Sequence, residues 1–499
     1  MSVLKKLLSD TALYGISSIL GRTLNYFLVI LHTAVFASQE FGIQSELYIY
    51  VAFLQIIYLY GMETAFFRYS QKYDIAEAYN LTMSSIVIST TFFTILLLLF
   101  SENIAFALGY AGRGNLIRYV AYILAIDALL AIPFARLRQE NKAKVFALTK
   151  IANILLVIGL NIFFLWFCKG IFEGNFLAFL KPIILLIYSP DLGIGYIFLA
   201  NLLANAFQVL LLYRTLLQFR FRFNWQKFKP ILVYAYPLIF TGLAGMVNNL
   251  IDRLMLKYYL PVGFYAGKNS IEAMGIYAAC AKLSIFMSLA IQAFRYAAEP
   301  FFFSQAQDKN APQVFARVMR YFIIVCCMIY VLVSLNTEIL GQIFLRKAEY
   351  RAGLVVVPFL LLGNLLLGIY FNLSAWFKIT EKTYFGTYFS FIGAFFTIFL
   401  NFLLIPHLGY VGCAISFVVV SLLMVVLGYA YGQKYFPVPY QINNGLGHIF
   451  WATLVIIASK FIQFSDFWQN FVWLQIVFFI YIVPIIWIEK QKITLAKSK

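Results

Sequence analysis

Seven charged residues, Arg22, Asp127, Lys150, Asp252, Arg253, Lys282 and Lys460, lie inside long apolar runs of a 499-residue chain. A charge held at the centre of a bilayer costs about 2.5–3.5 kcal/mol on insertion scales, so each needs a polar cavity or a partner. Helical spacing indicates which of them share a face. Ser18, Arg22, Asn25 and Thr33 fall at i, i+4, i+7 and i+15. Thr241, Gly245, Asn248 and Asp252 repeat the pattern, flanked by Asn249 and Arg253, and Ser284, Ser288, Gln292, Arg295 and Glu299 form a third stripe. Polar faces are unstable against lipid, so three such stripes predict a shared, water-filled cavity. A net-basic lining selects an anionic head, and a guanidinium grips phosphate with paired donors where an ammonium acts as a point charge. Arg22, with Lys282 or Arg253, is therefore expected to attract a diphosphate, and Asn25, Asn248, Asp252 and Gln292 complete the candidate binding set. Asp127 and Asp252 are the candidates for coupling a proton or sodium ion.

Structural roles compete with each of these. Asp252 and Arg253 near one end of their run invite snorkelling or an ion pair, and Arg295 and Glu299, four apart, suit pairing with each other. Asp127 and Lys150 suit a pair between neighbouring helices, and Lys460 suits snorkelling. The five cysteines have neither zinc-site nor disulfide-framework spacing, and His32, His407 and His448 are scattered. No Gly-rich nucleotide loop, Asp-x-Asp pair or large polar loop is present. The reading is a non-enzyme without cofactor or metal.

Positioning these side chains requires membrane-spanning helices. The chain is 63% hydrophobic and 12% charged, with a mean hydropathy of +0.85. A soluble domain is about a quarter charged, so here lipid must be the solvent. Runs long enough to span fall near 11–36, 42–66, 80–101, 116–137, 145–168, 193–216, 230–258, 273–297, 317–337, 354–377, 384–405, 410–433, 445–463 and 470–488. Lys5 and Lys6 precede the first run, which continues without a small-residue cleavage site and is expected to be a retained helix. With the N-terminus cytoplasmic, alternate connections and tails hold 24 Lys and Arg on the inner side and 8 on the outer. That bias predicts about fourteen spans in an inner membrane with both termini cytoplasmic. Most of the net charge of +18 is then explained by topology and anionic lipid headgroups, with no need of nucleic acid.

An internal duplication is also visible. Tyr14-Gly15 and Tyr236-Pro237 open the first and seventh runs 222 residues apart. Glu140 and Glu381 precede the fifth and eleventh runs, followed about 20 residues on by Asn161 and Asn401. The expected architecture is all-α, with two pseudo-symmetric six-helix lobes, 1–218 and 219–440, and two further helices with a cytoplasmic tail over 441–499. Gly15 and Pro237, in matching positions, are expected to let helices bend around a binding site.

Longer stretches carry a family resemblance: Tyr236-Pro237-Leu238 through Asn249-Leu250-Ile251-Asp252-Arg253, Gly275-Ile276-Tyr277 through Gln292-Ala293-Phe294 to Glu299-Pro300-Phe301, Tyr370-Phe371-Asn372-Leu373-Ser374-Ala375-Trp376-Phe377 with Glu381-Lys382-Thr383, and Asn401-Phe402-Leu403-Leu404-Ile405-Pro406 with Gly409-Tyr410-Val411-Gly412-Cys413-Ala414. In these the chain resembles the polysaccharide transporter branch, Wzx-like oligosaccharide flippases, of the multidrug/oligosaccharidyl-lipid/polysaccharide (MOP) exporter superfamily. The resemblance implies movement of an undecaprenyl-diphosphate-linked oligosaccharide from the cytoplasmic to the periplasmic leaflet, for polysaccharide or lipopolysaccharide assembly, by alternating access of a cationic cavity. It also implies a proton or sodium gradient, or the membrane potential, as driving force. Basic residues on helices 1, 2, 7 or 8 bind substrate in related flippases; Arg22 matches the helix 1 position, Arg253 and Lys282 follow, and helix 2 has no basic residue before Arg68. The rival expectations are a cation-coupled multidrug exporter, which needs a more acidic cavity, a lipid II flippase, and a membrane glycan polymerase.

Overall fold

The structure is a computed structural model describing residues 21, 23, 24, 26–305, 308–462 and 464–497. Every element among the described residues is helical. Eleven helices are long and apolar enough to cross a membrane: α2 (Ser38–Tyr69), α3 (Ile75–Leu99), α4 (Gly114–Gln139), α5 (Ala143–Phe172), α7 (Trp225–Tyr259), α9 (Ala311–Leu335), α10 (Ala348–Ile379), α11 (Tyr384–Leu408), α12 (Tyr410–Tyr435), α13 (Ile442–Ser459) and α14 (Phe467–Trp487). A twelfth, α8, is a pair, Ser270–Lys282 and Ile285–Phe303, bent by 48°. The remaining two expected spans fall on shorter apolar helices, α1 (Tyr26–Val35) and α6 (Gly195–Leu211). At 17 residues, α6 is below the roughly 20 that a straight span needs. The chain is a multi-pass membrane protein.

Local chemistry sets several element ends. Asn269 and Glu272 form a reciprocal capping box at the start of α8: Asn269 Oδ1 accepts from the Glu272 amide at 2.9 Å, and Glu272 Oε2 from the Asn269 amide at 2.8 Å. Asp74 caps α3 through the Ala76 amide at 3.0 Å. α2 is interrupted at Tyr60 and Gly61, both left-handed. A Cβ on Gly61 would sit 2.7 Å from the carbonyl oxygen of Ala235, so α7 approaches as closely as it does because this position has no side chain. The connection from α6 to α7 is tied to α3: Asn80 Oδ1 and Ser84 Oγ, one turn apart, accept the amides of Arg220 and Arg222 at 2.9 and 3.0 Å.

Two compact units, residues 1–250 and 251–499, divide the chain within α7. The first packs around fully buried Tyr58, Phe66, Tyr79 and Phe198, the second around Tyr277, Tyr350, Phe389 and Tyr481. Rings of this size dominate core burial. Apolar side chains also cover the outside: Tyr388, Phe395, Phe399 and Phe402 recur along one exposed face of α11, as a lipid-facing helix requires. The stretch 169–192 is neither one helix nor a simple loop. α5 passes through a π-helical segment, Phe163–Cys168, and ends at Phe172; short turns follow, with Phe179, Ile183 and Leu186 exposed. Tyr188 stacks on Tyr196, and Tyr196 on Phe164, each at 4.9 Å, anchoring this stretch to α5 and α6.

Both units contain matching local features. α3 has 25 residues and is followed, across Phe100, by Ser101–Ala107; α9 has 25 and is followed, across Asn336, by Thr337–Phe344. Left-handed residues precede α5 and α11 at Asn141 and Glu381, which differ by 240 in number.

Candidate functional site

Arg22 and Asn25, with Tyr14, Gly15 and Ser18, lie outside the described residues. Thr33, the last member of their stripe, is buried and turns its hydroxyl onto the carbonyl of Val29 at 2.8 Å. The remaining candidates fall in two clusters, one in each unit.

In the first unit, Asp127 on α4 is half-buried. Its Oδ1 accepts from Asn205 Nδ2 on α6 at 2.8 Å, and Asn205 Oδ1 accepts from Asn153 Nδ2 on α5 at 3.0 Å. Nearby, Asn201 Nδ2 donates to the Tyr48 hydroxyl at 3.1 Å. Lys150 is an electrostatic neighbour of Asp127 but forms no direct ion pair with it; its ammonium lies 4.0 Å from the centre of the Phe134 ring. The result is a carboxylate on α4 joined to a chain of two amides from α6 and α5, with further oxygen ligands close by. Oxygen ligands suit hard cations, and a carboxylate in such a setting also suits a proton. Sequence reasoning missed the asparagines. The signal was available, because Asn201, Asn205 and Gln208 fall at i, i+4 and i+7 on α6, and Gln208 is buried with its Nε2 unpartnered.

In the second unit, Asp252 Oδ2 accepts from the Tyr277 hydroxyl at 2.6 Å, and Asp252 Oδ1 from the Arg253 amide at 2.9 Å. The Arg253 guanidinium is 3.9 Å from Asp252 Oδ1 and 5.8 Å from the centre of the Tyr277 ring. The carboxylate is thus committed to neighbours within its own unit, and Tyr277, which sequence reasoning had not selected, holds it. Lys282, the last residue before the bend in α8, is exposed and makes no hydrogen bond or ion pair among the described residues; its nearest charged influence is Arg253. Arg253 thus neighbours both the engaged Asp252 carboxylate and Lys282.

The remaining stripe members have local roles. At the bend of α8, Ser284 and Ser288 face α10, where Ser288 Oγ donates to Asn364 Oδ1 at 3.2 Å and Asn364 Nδ2 to Ser284 Oγ at 3.4 Å. Gln292 and Asn248 are half-buried on α8 and α7. Arg295 lies over the Phe371 ring at 4.2 Å. His32 is buried in a polar group: its Nε2 lies 2.9 Å from Asn161 Oδ1, and its Nδ1 3.3 Å from Gln44 Nε2. Among the described residues no group of three or more His, Cys, Asp or Glu side chains is placed to hold a metal ion.

No family model matches the chain, and no curated protein matches it in sequence. Solved structures do share its fold. A lipid II flippase, MurJ, in its inward closed conformation superposes with a TM-score of 0.68 at 16% identity, covering 94% of this chain and 97% of the flippase. An inward-facing multidrug resistance MATE family transporter of the MOP superfamily superposes with a TM-score of 0.61 at 14% identity, covering 86% of this chain and 96% of the transporter. A MATE structure in the straight conformation gives 0.59 at 13%, covering 86% and 95%. At these identities the likeness defines a shared fold: that of multi-helix membrane transporters.

Proposed function

We propose that this protein is a flippase that moves a polyprenyl-diphosphate-linked saccharide across a bilayer by alternating access, without nucleotide hydrolysis. The observation that carries this reading is the basic cluster in the second unit. Among the described residues Lys282 is exposed and makes no hydrogen bond or ion pair, with Arg253 as its electrostatic neighbour, while the Asp252 carboxylate is taken by Tyr277. An excess of unneutralised cation within an apolar chain favours an anionic head, and a diphosphate supplies it. The sequence pattern adds Arg22, Asn25, Asn248 and Gln292 to the proposed binding set. The chain is read as crossing fourteen times with both termini cytoplasmic, counting α1, α6 and the bent α8 as spans and taking residues 1–218, 219–440 and 441–499 as two related lobes and an appended helix pair. Of the possible saccharides, lipid II has the support of the fold comparison, since the named lipid II flippase covers more of this chain than the MATE structures do. An undecaprenyl-diphosphate oligosaccharide keeps the support of the sequence resemblance.

A second reading, a cation-coupled multidrug exporter, is favoured by the amide-lined carboxylate at Asp127 and by the MATE likeness. In the flippase reading the same group serves as the coupling site.

Transbilayer movement in proteoliposomes decides between them. Labelled lipid II and a polyprenyl-diphosphate oligosaccharide are offered in parallel, with a cationic dye under a proton or sodium gradient as the third substrate. Movement of either lipid, lost in Arg22→Ala and Lys282→Ala, supports the flippase; export of the dye with neither lipid moved replaces it with the drug exporter.

A further inference from the structure

Lys460, one of the seven charges found in apolar runs, belongs to neither cluster described above. It follows directly on α13, at the helix end where the axial dipole favours a cation. Glu338 is placed in the opposite sense, in the first turn of the segment Thr337–Phe344, where the dipole favours an anion. Both side chains are exposed, and neither makes a hydrogen bond or ion pair among the described residues. Both line one cavity of about 160 Å³, between the ends of α9 and α13 and the starts of α10 and α14, and they are the charged members of its described lining. Opposite charges in an apolar chain ordinarily close on each other. Here each is settled at its own helix end, and the two share a cavity without pairing.

The neutral groups around them are arranged unequally. Gln475 Nε2 on α14 donates to Asn336 Oδ1, just past the end of α9, at 2.7 Å, which fixes two of the elements that form the cavity. Thr337 and Ser459 turn their hydroxyls onto the carbonyls of Ser334 and Ile456 at 2.7 and 2.8 Å. Ser334 does not: it is only 8% exposed, and its Oγ has no hydrogen-bond partner. Asn470 Oδ1 accepts from the Phe464 amide at 3.4 Å, while its Nδ2 donates to nothing among the described residues. A buried hydroxyl without a partner calls for one. The rest of the described lining is apolar. One ammonium, one carboxylate, a hydroxyl and an amide N–H match a zwitterion with a phosphate at one end and an N–H-bearing ammonium at the other. One carboxylate is too few for a metal site. A cavity of 160 Å³ takes roughly ten water-sized groups, enough for the phosphoethanolamine unit of about eight heavy atoms.

The surroundings say where such a group comes from. Between α13 and α14 the chain exposes Phe461, Phe464, Phe467 and Trp468, with the polar, exposed Ser465 and Asp466 among them. Rings alternating with polar groups at the ends of two spans mark the level of lipid headgroups. We propose that this cavity seats the headgroup of phosphatidylethanolamine, its phosphate on Lys460 and its ammonium on Glu338. The site lies wholly within the second unit and does not depend on the flippase reading.

The test is thermal unfolding of the purified protein in a maltoside detergent. Dioctanoyl phosphatidylethanolamine, the phosphatidylcholine and phosphatidylglycerol of the same chain length, and water-soluble glycerophosphoethanolamine are titrated separately. Phosphatidylethanolamine raises the Tm of the wild type at a concentration at least about tenfold lower than phosphatidylcholine, whose ammonium has no N–H to donate, or phosphatidylglycerol, which has no cation. In Lys460→Gln and in Glu338→Gln the concentration needed for half the shift rises by at least about tenfold, as loss of one charge-assisted contact requires. Glu338→Gln leaves the response to phosphatidylglycerol no weaker than in wild type, which a merely structural role of this carboxylate would not predict. Lys434→Gln, a basic residue of α12 outside the described lining, responds as wild type. If phosphatidylcholine acts as strongly as phosphatidylethanolamine, if no lipid shifts the wild type, or if both pocket variants respond as it does, the proposal is overturned. An equal response to glycerophosphoethanolamine also overturns it, by assigning the cavity to a soluble zwitterion. Should Lys460→Gln fail to fold, the lipid preference of Glu338→Gln gives the same decision.

Discussion

Asn161 and Asn401, 240 residues apart, are both 1% exposed, and each donates its Nδ2 to the carbonyl four residues earlier in its own helix at 2.8 Å. Their remaining partners differ. Asn161 Oδ1 meets His32 Nε2, whereas Asn401 Nδ2 also reaches Ser416 Oγ at 3.1 Å. The same interval of 240 separates the left-handed Asn141 and Glu381 that precede these two helices. The two asparagines thus share a hydrogen bond to their own helix and differ in their side-chain partners. Asn161→Leu is expected to lower the Tm in detergent by removing the acceptor of a buried imidazole, at about 1–3 kcal/mol. Asn161→Gln, longer by one methylene, recovers little. A Tm unchanged in Asn161→Leu would show that His32 does not depend on this bond.

The cations of the second unit are expected to act in transport more than in folding. Lys282 is exposed and makes no ion pair among the described residues, so Lys282→Gln leaves the Tm within a degree or two while slowing lipid movement by about tenfold or more, consistent with loss of one charge-assisted contact to a phosphate. Lys282→Arg keeps the charge and most of the rate. Initial rates of labelled-lipid movement against a thermal melt separate the two effects, and a rate unchanged in Lys282→Gln removes this residue from the site.

Asp127 carries a different expectation. Asp127→Asn preserves shape and the hydrogen bond to the asparagine chain but cannot release a proton or hold a cation by charge. The rate in the variant should no longer respond to an imposed proton or sodium gradient, while the variant remains folded. Asn205→Leu instead removes the donor that holds the carboxylate and is expected to destabilise the protein by about 1–3 kcal/mol. A gradient response equal to wild type in Asp127→Asn places the coupling elsewhere.

Glu140, just past the end of α4, gives a pH-dependent prediction. Its carboxylate accepts from Arg136 Nε and pairs with Lys142 Nζ, each at 2.6 Å. Burial is the largest single influence and pushes its carboxyl up, but the hydrogen bonds and charges of Lys142 and Arg136 together outweigh it and hold the group below the ordinary value of 4.5. A carboxyl lowered in the folded state stabilises it above the unfolded value and loses that contribution as pH falls through the folded value. Glu140→Gln should therefore lower the Tm at pH 7, and the gap to wild type should close as pH drops below 4.5. Solvent screening of this partly exposed group limits the effect to about 0.5–1 kcal/mol. A gap that stays constant with pH would exclude the charge as its cause.

At Gly61, substitution by alanine meets two obstacles: a φ of +78° and the Ala235 carbonyl 2.7 Å from the new Cβ. Gly61→Ala should cost roughly 1–3 kcal/mol, read as a lower Tm in a fluorescence-detected melt. Tyr69, whose hydroxyl donates to the Pro230 carbonyl at 2.9 Å, ties α2 to α7 a little further along, so Tyr69→Phe gives a smaller loss of about 1 kcal/mol. Equal stability of Gly61→Ala and wild type would mean that α7 shifts freely away from α2.

Hydropathy is a local property, and a span needs only a run of apolar residues, so the sequence alone placed most of the helices: each expected run after the first overlaps a helix among the described residues, even where α6 is short and α8 is bent, while most of the first, 11–36, lies outside them. Charges costly enough to need explanation were legible for the same reason, and so were Asn161 and Asn401 as a repeated pair. The rotation of each helix about its axis, and thus the partner each polar side chain meets, is fixed by packing between distant segments. Asp127 looked like the partner of Lys150 on the adjoining helix, yet its hydrogen bond comes from Asn205, 78 residues away, and Lys150 rests on an aromatic ring. Ser284 and Ser288 read as cavity lining alongside Gln292, yet both meet Asn364 on α10. Tyr277 gave no sign in sequence, because a tyrosine in an apolar helix is ordinary; only the fold brings its hydroxyl within 2.6 Å of the Asp252 carboxylate.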